Sequence, residues 1–250
     1  WEIAGEDKNI LTVTLEESLF SGDGVTLDIS FLTKLAKINH RTGVTRNTVN
    51  LGNFFPILCG YSQGAFYECV YYSDGDPFFS EQASFSVSFT VPREYTLAST
   101  GKIVSEKTLE SKKEYTMSAT NVRDFAVVLS DCFEMVSSRS DGVEVRYYYY
   151  NDEQPAAHLA AAQEALGYYS STFGKYPYET YSVVQTGFCY GGMEYPSLVM
   201  ISDALSENNC VYTIVHETAH QWWYAAVGNN QVENAWQDEG LSEYSTAMFF

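Results

Sequence analysis

Basic side chains are scarce in this 250-residue chain: 14 Lys and Arg stand against 32 Asp and Glu, giving a formal charge of −18. Such a surface repels both the phosphate backbone of nucleic acid and an anionic membrane face, and it favours cationic partners. A peptide with a free α-amino group is one such partner, although acidity also serves plain solubility. Long apolar runs are missing too. No stretch approaches the ~18 apolar residues of a membrane span, and Trp1 to Asn9 lack the basic-then-apolar order of a signal peptide. The chain opens on Trp1 and not Met, so it reads as processed or excerpted; an upstream signal or anchor is compatible with that, and localisation stays open between cytoplasm and cell surface.

Cysteine is present but unorganised. Cys59, Cys69, Cys132, Cys189 and Cys210 form an odd set with no CxxC, which argues against a thiolate metal site and against a complete disulfide framework. Most read as buried small hydrophobes, and a Cys59–Cys69 bridge across a hairpin is the one pairing worth naming for an exported protein. What the chain does have is core material. At 45% hydrophobic and 16% aromatic it shows none of the depletion that marks disorder, and its length favours two domains.

From Asn9 to about Tyr150 the sequence alternates like short half-buried strands, as in Leu11-Thr-Val-Thr-Leu15 and Phe85-Ser-Val-Ser-Phe89. Turn chemistry separates them at Ser21–Gly24, Ser73–Pro77 and Ser140–Gly142. Beyond Tyr150 the character changes: Pro155 opens a run of helix formers that reaches Leu166 before Gly167. A second helix is expected over Asn209–Val227 with Gly228 as its stop, a third from about Trp236 to the chain end, and a strand around Tyr181–Gln185. The predicted class is α+β, with an antiparallel β-domain over 1–150 and a mainly helical domain over 151–250. His40 and His158 read as surface residues without a role.

The chemistry concentrates in Val215-His-Glu-Thr-Ala-His-Gln221, an HExxH motif. On a helix His216 and His220 lie one turn apart on the same face, so two imidazoles converge on one zinc ion. Glu217 between them can act as general base toward a water activated by that ion. A catalytic site needs a third protein ligand, and Glu239 supplies it, since 239 minus 220 leaves 18 intervening residues for a helix–loop–helix return. Glu243 and Asp238 are placed to orient the two imidazoles. The bland alternative is a pair of satisfied histidines on a buried helix. With only 4 histidines in the chain, it requires the spaced carboxylate to be a second coincidence.

The set HExxH, 18 residues, then Glu within Trp236-Gln-Asp-Glu-Gly240 resembles the gluzincin metallopeptidases, and Gly191-Gly-Met-Glu-Tyr195 narrows the resemblance to the M1-family zinc aminopeptidases. That family usually reads Gly-x-Met-Glu-Asn. Gly191, Gly192, Met193 and Glu194 match, whereas Tyr195 replaces the usual Asn and is followed by Pro196. The resemblance implies one zinc per chain, peptide substrates with a free N-terminus gripped by Glu194, and glycine backbone bonding the peptide chain. It extends more weakly through Phe173–Tyr178, Val122–Ala126 and Asn53–Pro56, read as framework without chemistry. It further implies a saddle-like N-terminal β-domain followed by the first part of a thermolysin-like catalytic domain.

Family members also use a tyrosine well downstream of the glutamate ligand to stabilise the oxyanion, and this sequence ends 11 residues after Glu239 (250 minus 239). Loss of such a donor costs about 2.7 to 4 kcal/mol in transition-state stabilisation. The isolated piece is therefore expected to bind metal better than it turns over substrate, and to self-associate if its end face is apolar. Two rivals remain. A thermolysin-like endopeptidase shares the zinc ligands without needing an amino anchor, and a non-catalytic peptide-binding module would explain Tyr195, though retention of Glu217 speaks against it. An epoxide hydrolase of the same family is not asked for by these residues.

Overall fold

A computed structural model describes residues 1–5, 8–68, 72, 75–76 and 79–250. The first strands are β1 (Glu2–Ala4), β2 (Ile10–Thr12), β3 (Thr42–Val44), β4 (Val49–Leu51), β5 (Tyr61–Ser62) and β6 (Ala65–Phe66). Then come β7 (Ala83–Pro92), β8 (Thr96–Ser99), β9 (Lys102–Thr108), β10 (Lys112–Val122), β11 (Val127–Ser130), β12 (Glu134–Ser140) and β13 (Val143–Tyr149). The helical part comprises α1 (Pro155–Phe173), β14 (Thr180–Thr186), β15 (Gly192–Met193), β16 (Leu198–Ser202), α2 (Glu207–Ala219) and α3 (Leu241–Phe249). The class is α+β, with antiparallel sheets filling the N-terminal part.

Alternation does what a half-buried strand requires. In β7, Phe85, Val87 and Phe89 turn to a core shared with Tyr115, Met117 and Ala119 of the antiparallel β10, while the intervening positions face solvent. β12 and β13 are joined by Asp141 and Gly142, both at positive φ, the pairing that a two-residue hairpin turn selects.

A five-stranded sheet in the order β12-β13-β14-β16-β15 carries the site. Its central strands β14 and β16 are buried throughout; β14 runs parallel to β13 and β16, with α1 as the crossover from β13, and β15 pairs antiparallel with β16. One face packs on α1 and α2 through Val145, Tyr147, Leu166, Tyr169, Ile214 and Val215. The other packs on the four-stranded sheet β3-β4-β11-β8, where Ala98 and Val128 meet Tyr148, Val184, Leu198 and Met200. Strands β12 and β13 thus join the sheet that serves the helices, and the division expected near residue 150 falls between strands of one sheet.

Several local expectations are corrected. Only Leu11 and Thr12 of the Leu11–Leu15 run are strand, closing β2, whose partner β1 is three residues long. α1 continues through exposed Gly167 to Phe173, since burial of Tyr169 against Trp222 and Phe249 holds its last turns. α2 starts at Glu207 and ends as an α-helix at Ala219; a π-helical turn over Gln221–Ala226 follows, with the Ala225 and Val227 amides donating five residues back to His220 and Trp222. A second π-turn over Trp236–Gly240 precedes α3.

His158 is buried and its Nδ1 lies 2.6 Å from Asp152 Oδ2, so it is no surface residue. Of the described cysteines, Cys210 alone is buried. Cys132 and Cys189 lie exposed in loops, Cys59 is half-buried, and all four are free. Cys69 of the conjectured bridge, and Ser73, Asp74 and Pro77 of the expected turn, lie outside the described residues. No helix among the described residues is long and apolar enough to cross a membrane.

Candidate metal centre and substrate groove

The last turn of α2 faces the π-turn at Trp236–Gly240, and this pairing brings three ligand atoms together. Nε2 of His216 lies 3.1 Å from Nε2 of His220 and 3.2 Å from Oε2 of Glu239, and His220 Nε2 lies 3.6 Å from the same oxygen. Tetrahedral zinc with bonds of about 2.0–2.1 Å spaces its ligand atoms roughly 3.3 Å apart, so the set is sized for one such ion. The donors also fit chemically: two imidazoles and one carboxylate leave a fourth position free.

Each imidazole is held from behind. His220 Nδ1 lies 2.7 Å from Oδ1 of Asp238, both side chains being buried, and Gln231 donates to the other Asp238 oxygen. His216 Nδ1 lies 3.3 Å from Glu243 Oε2 in α3. A carboxylate accepting from Nδ1 leaves the Nε2 lone pair free for a cation.

Glu217 points from α2 toward β15, and its approach is so close that a Cβ on Gly192 would overlap its carboxylate. Burial pushes the Glu217 carboxyl up to about 7, against the pull of His216 and His220. Glu194, directly after β15, is 3% exposed; burial, reinforced by Asp76, raises its carboxyl well above the ordinary value. Glu194 Oε1 and Glu217 Oε2 are both buried without a hydrogen-bond partner among the described residues. Buried carboxylate oxygens are seldom left so; Glu217 lies beside Gly192 and His216, and Glu194 has a ligand-type oxygen within 4.8 Å of those of His220 and Asp238.

Two hollows flank the ligands. One of about 360 Å³ is lined by Tyr72, Asp76, Gln231, Val232, Asp238 and Glu239, the other of about 270 Å³ by Gly191, Gly192, Thr213, His216, Glu217 and Glu243. Ligand-type oxygens of Asp76, Glu194 and Glu239 lie within 4.8 Å of one another. Asp76 is ion-paired with buried Arg41 at 2.7 Å. Neither residue was expected here: Asp76 read as turn chemistry, and no spacing ties Arg41 to a motif more than 150 residues away.

The structure thus gathers His216, Glu217, His220, Asp238, Glu239 and Glu243 around one point, with Gly191, Gly192, Met193 and Glu194 along the adjoining edge of the sheet. Met193 itself is buried in the core beneath that edge. Tyr195 turns away from the groove and donates its hydroxyl to Asn53 Oδ1 at 2.7 Å. Asn53 lies in a segment that read as framework.

Residues 157–250 match the Peptidase family M1 domain. Relatives include leucine aminopeptidase 2-1 of Meyerozyma guilliermondii, 34% identical over 91 residues (35% of this chain, 14% of the relative). Leukotriene A-4 hydrolase of Xenopus laevis is 30% identical over 90 residues (34% and 15%), and aminopeptidase M1-D of Oryza sativa subsp. japonica is 28% identical over 188 residues (68% and 21%). The chain therefore spans only about a seventh to a fifth of the length of these curated relatives. Over residues 157–250, 94 of the chain's 250 residues, the sequence is thus similar to peptidase family M1.

Proposed function

We propose that this chain carries the metal and amino-anchor residues of a zinc aminopeptidase that removes N-terminal residues from peptides. The observation that carries the reading is the pairing of a zinc-sized triad, His216, His220 and Glu239, with two adjacent buried carboxylates, Glu194 and Glu217, each with one oxygen that has no hydrogen-bond partner among the described residues. When bound there, one zinc ion would polarise the scissile carbonyl and bring the pKa of a water near neutrality. Glu217 accepts the proton released in the attack and delivers it to the leaving amine, a task suited to a carboxyl raised to about 7.

Glu194 pairs with the α-ammonium group of the substrate, which sets cleavage after the first residue. β15 is the last strand of its sheet, and with the Gly191 carbonyl taken by the Ser202 amide its outer edge offers the backbone of Gly192 to an extended peptide. In this reading the N-terminal β part is the saddle-like domain, and the helical part begins a thermolysin-like catalytic domain.

The test uses the full-length enzyme on a peptide and its N-acetylated counterpart. The free peptide is expected to be cleaved at its first bond and the blocked one to resist. Equal rates would overturn the aminopeptidase reading in favour of an endopeptidase.

A further inference from the structure

Tyr195 is fully buried, and its side chain leaves the groove for the β-rich part of the chain. Its hydroxyl donates to Asn53 Oδ1 at 2.7 Å; the Asn53 amide donates to Asp124 Oδ2 at 2.7 Å; and Asp124 Oδ1 accepts the Phe125 amide at 2.7 Å. The fit is made for a phenol. Asn53 sits at φ +51°, and a Cβ on neighbouring Gly52 would overlap the Tyr195 hydroxyl. Asparagine, the usual residue at this place in the motif, is too short to span that gap.

The backbone at Tyr195 is tied in the opposite direction. Gln221, directly after His220, donates from Nε2 to the Tyr195 carbonyl at 3.3 Å and accepts the Ser197 amide at 2.8 Å. Ser197, at φ +59°, accepts the Gly101 amide on Oγ at 2.8 Å. The residue beside Glu194 is thus pinned between the β sheets and the turn that carries the metal ligand, while the Glu194 carboxylate keeps one oxygen unpartnered.

We propose that Tyr195 is a positioning residue for the amino-group anchor: its bond to Asn53 fixes the backbone that aims the Glu194 carboxylate at the α-ammonium group of a peptide. The proposal rests on the aminopeptidase reading above and adds the residue on which its selectivity for a free amine depends. A buried carboxylate binds an ammonium group well only at charge-assisted hydrogen-bond distance, so slack in the neighbouring backbone weakens the anchor while leaving the metal ligands in place.

The experiment measures binding of isoamylamine, which has no bond to cleave, against N-acetyl-isoamylamine on the zinc-loaded chain by calorimetry, with zinc content and thermal midpoint recorded for each variant. Wild type is expected to prefer the amine. Tyr195→Phe removes only the hydroxyl and is expected to lower that preference about 5- to 10-fold with one zinc retained, on the scale of one neutral hydrogen bond. Asn53→Gly, which accepts positive φ freely, breaks the same contact from the other side and should show the same loss even if Tyr195→Phe folds poorly. Wild type without amine preference would contradict the aminopeptidase reading itself. Wild type with preference and either folded variant unchanged would overturn the role of Tyr195 alone.

Discussion

Asp238 holds His220 by its Nδ1 at 2.7 Å, deep enough that neither side chain keeps more than 2% of its surface. The pair is the most buried contact of the site, and it fixes which nitrogen of His220 faces the other ligands. Asp238→Asn keeps the shape while weakening the acceptor, and the Gln231 contact to the same carboxylate is disturbed with it. Zinc affinity is expected to fall about 10- to 100-fold. Chelator competition on parent and variant measures this directly; an unchanged affinity would remove Asp238 from the role.

Replacing Glu217 by Gln leaves the His216–His220–Glu239 triangle untouched and removes the carboxylate that stands between the two histidines in sequence. Hydrolysis by the full-length enzyme should drop by about 10²- to 10⁴-fold with zinc content unchanged. Activity near the parent level would assign proton transfer to another group.

The two glycines ahead of Met193 should behave differently. A Cβ on Gly192 would collide with the Glu217 carboxylate, whereas on Gly191 it would only reach ordinary contact with Thr213 at 3.5 Å. Gly192→Ala is expected to depress kcat severely and Gly191→Ala mildly, both retaining zinc. Steady-state kinetics on the two variants decides, and equal effects would contradict the geometry.

Asp124 gives a stability prediction away from the metal. Burial pushes its carboxyl up to about 6 from an ordinary 3.8, against the pull of the Phe125 amide and Asn53. The folded state then holds its proton more tightly than the unfolded state between those values, so stability falls as pH rises from about 4 to 6. The fall from this group amounts to about 3 kcal/mol. Urea denaturation across that window should show a shallower decline for Asp124→Asn; identical slopes would contradict the shift.

The contiguous chemistry was legible because it obeys a local rule. Four residues separate His216 from His220, one helical turn brings them together, and Glu239 returns on the next helical segment at the expected spacing. The π-turns around these ligands were not legible, since hydrophobic period cannot separate a widened turn from a continuing helix. Arg41, Asn53, Asp76 and Asp124 reach the site or its supports from segments that meet only through long-range sheet packing, and no spacing in a single sequence encodes that. The change of character after Tyr150 marked where helices begin. It did not mark where the core changes, because β12 and β13 pair into the sheet that backs α1 and α2. His158 was misplaced for a similar reason: its partner Asp152 secures the start of α1, a contact visible only once the chain has turned.

Metal content is the most direct test of the central claim. Chain purified without chelator or affinity metal, then measured by elemental analysis beside His220→Ala, is expected to carry about one zinc in the parent and almost none in the variant. Well-folded parent protein without zinc, or a variant that keeps it, would contradict the assignment of His216, His220 and Glu239 as the metal centre.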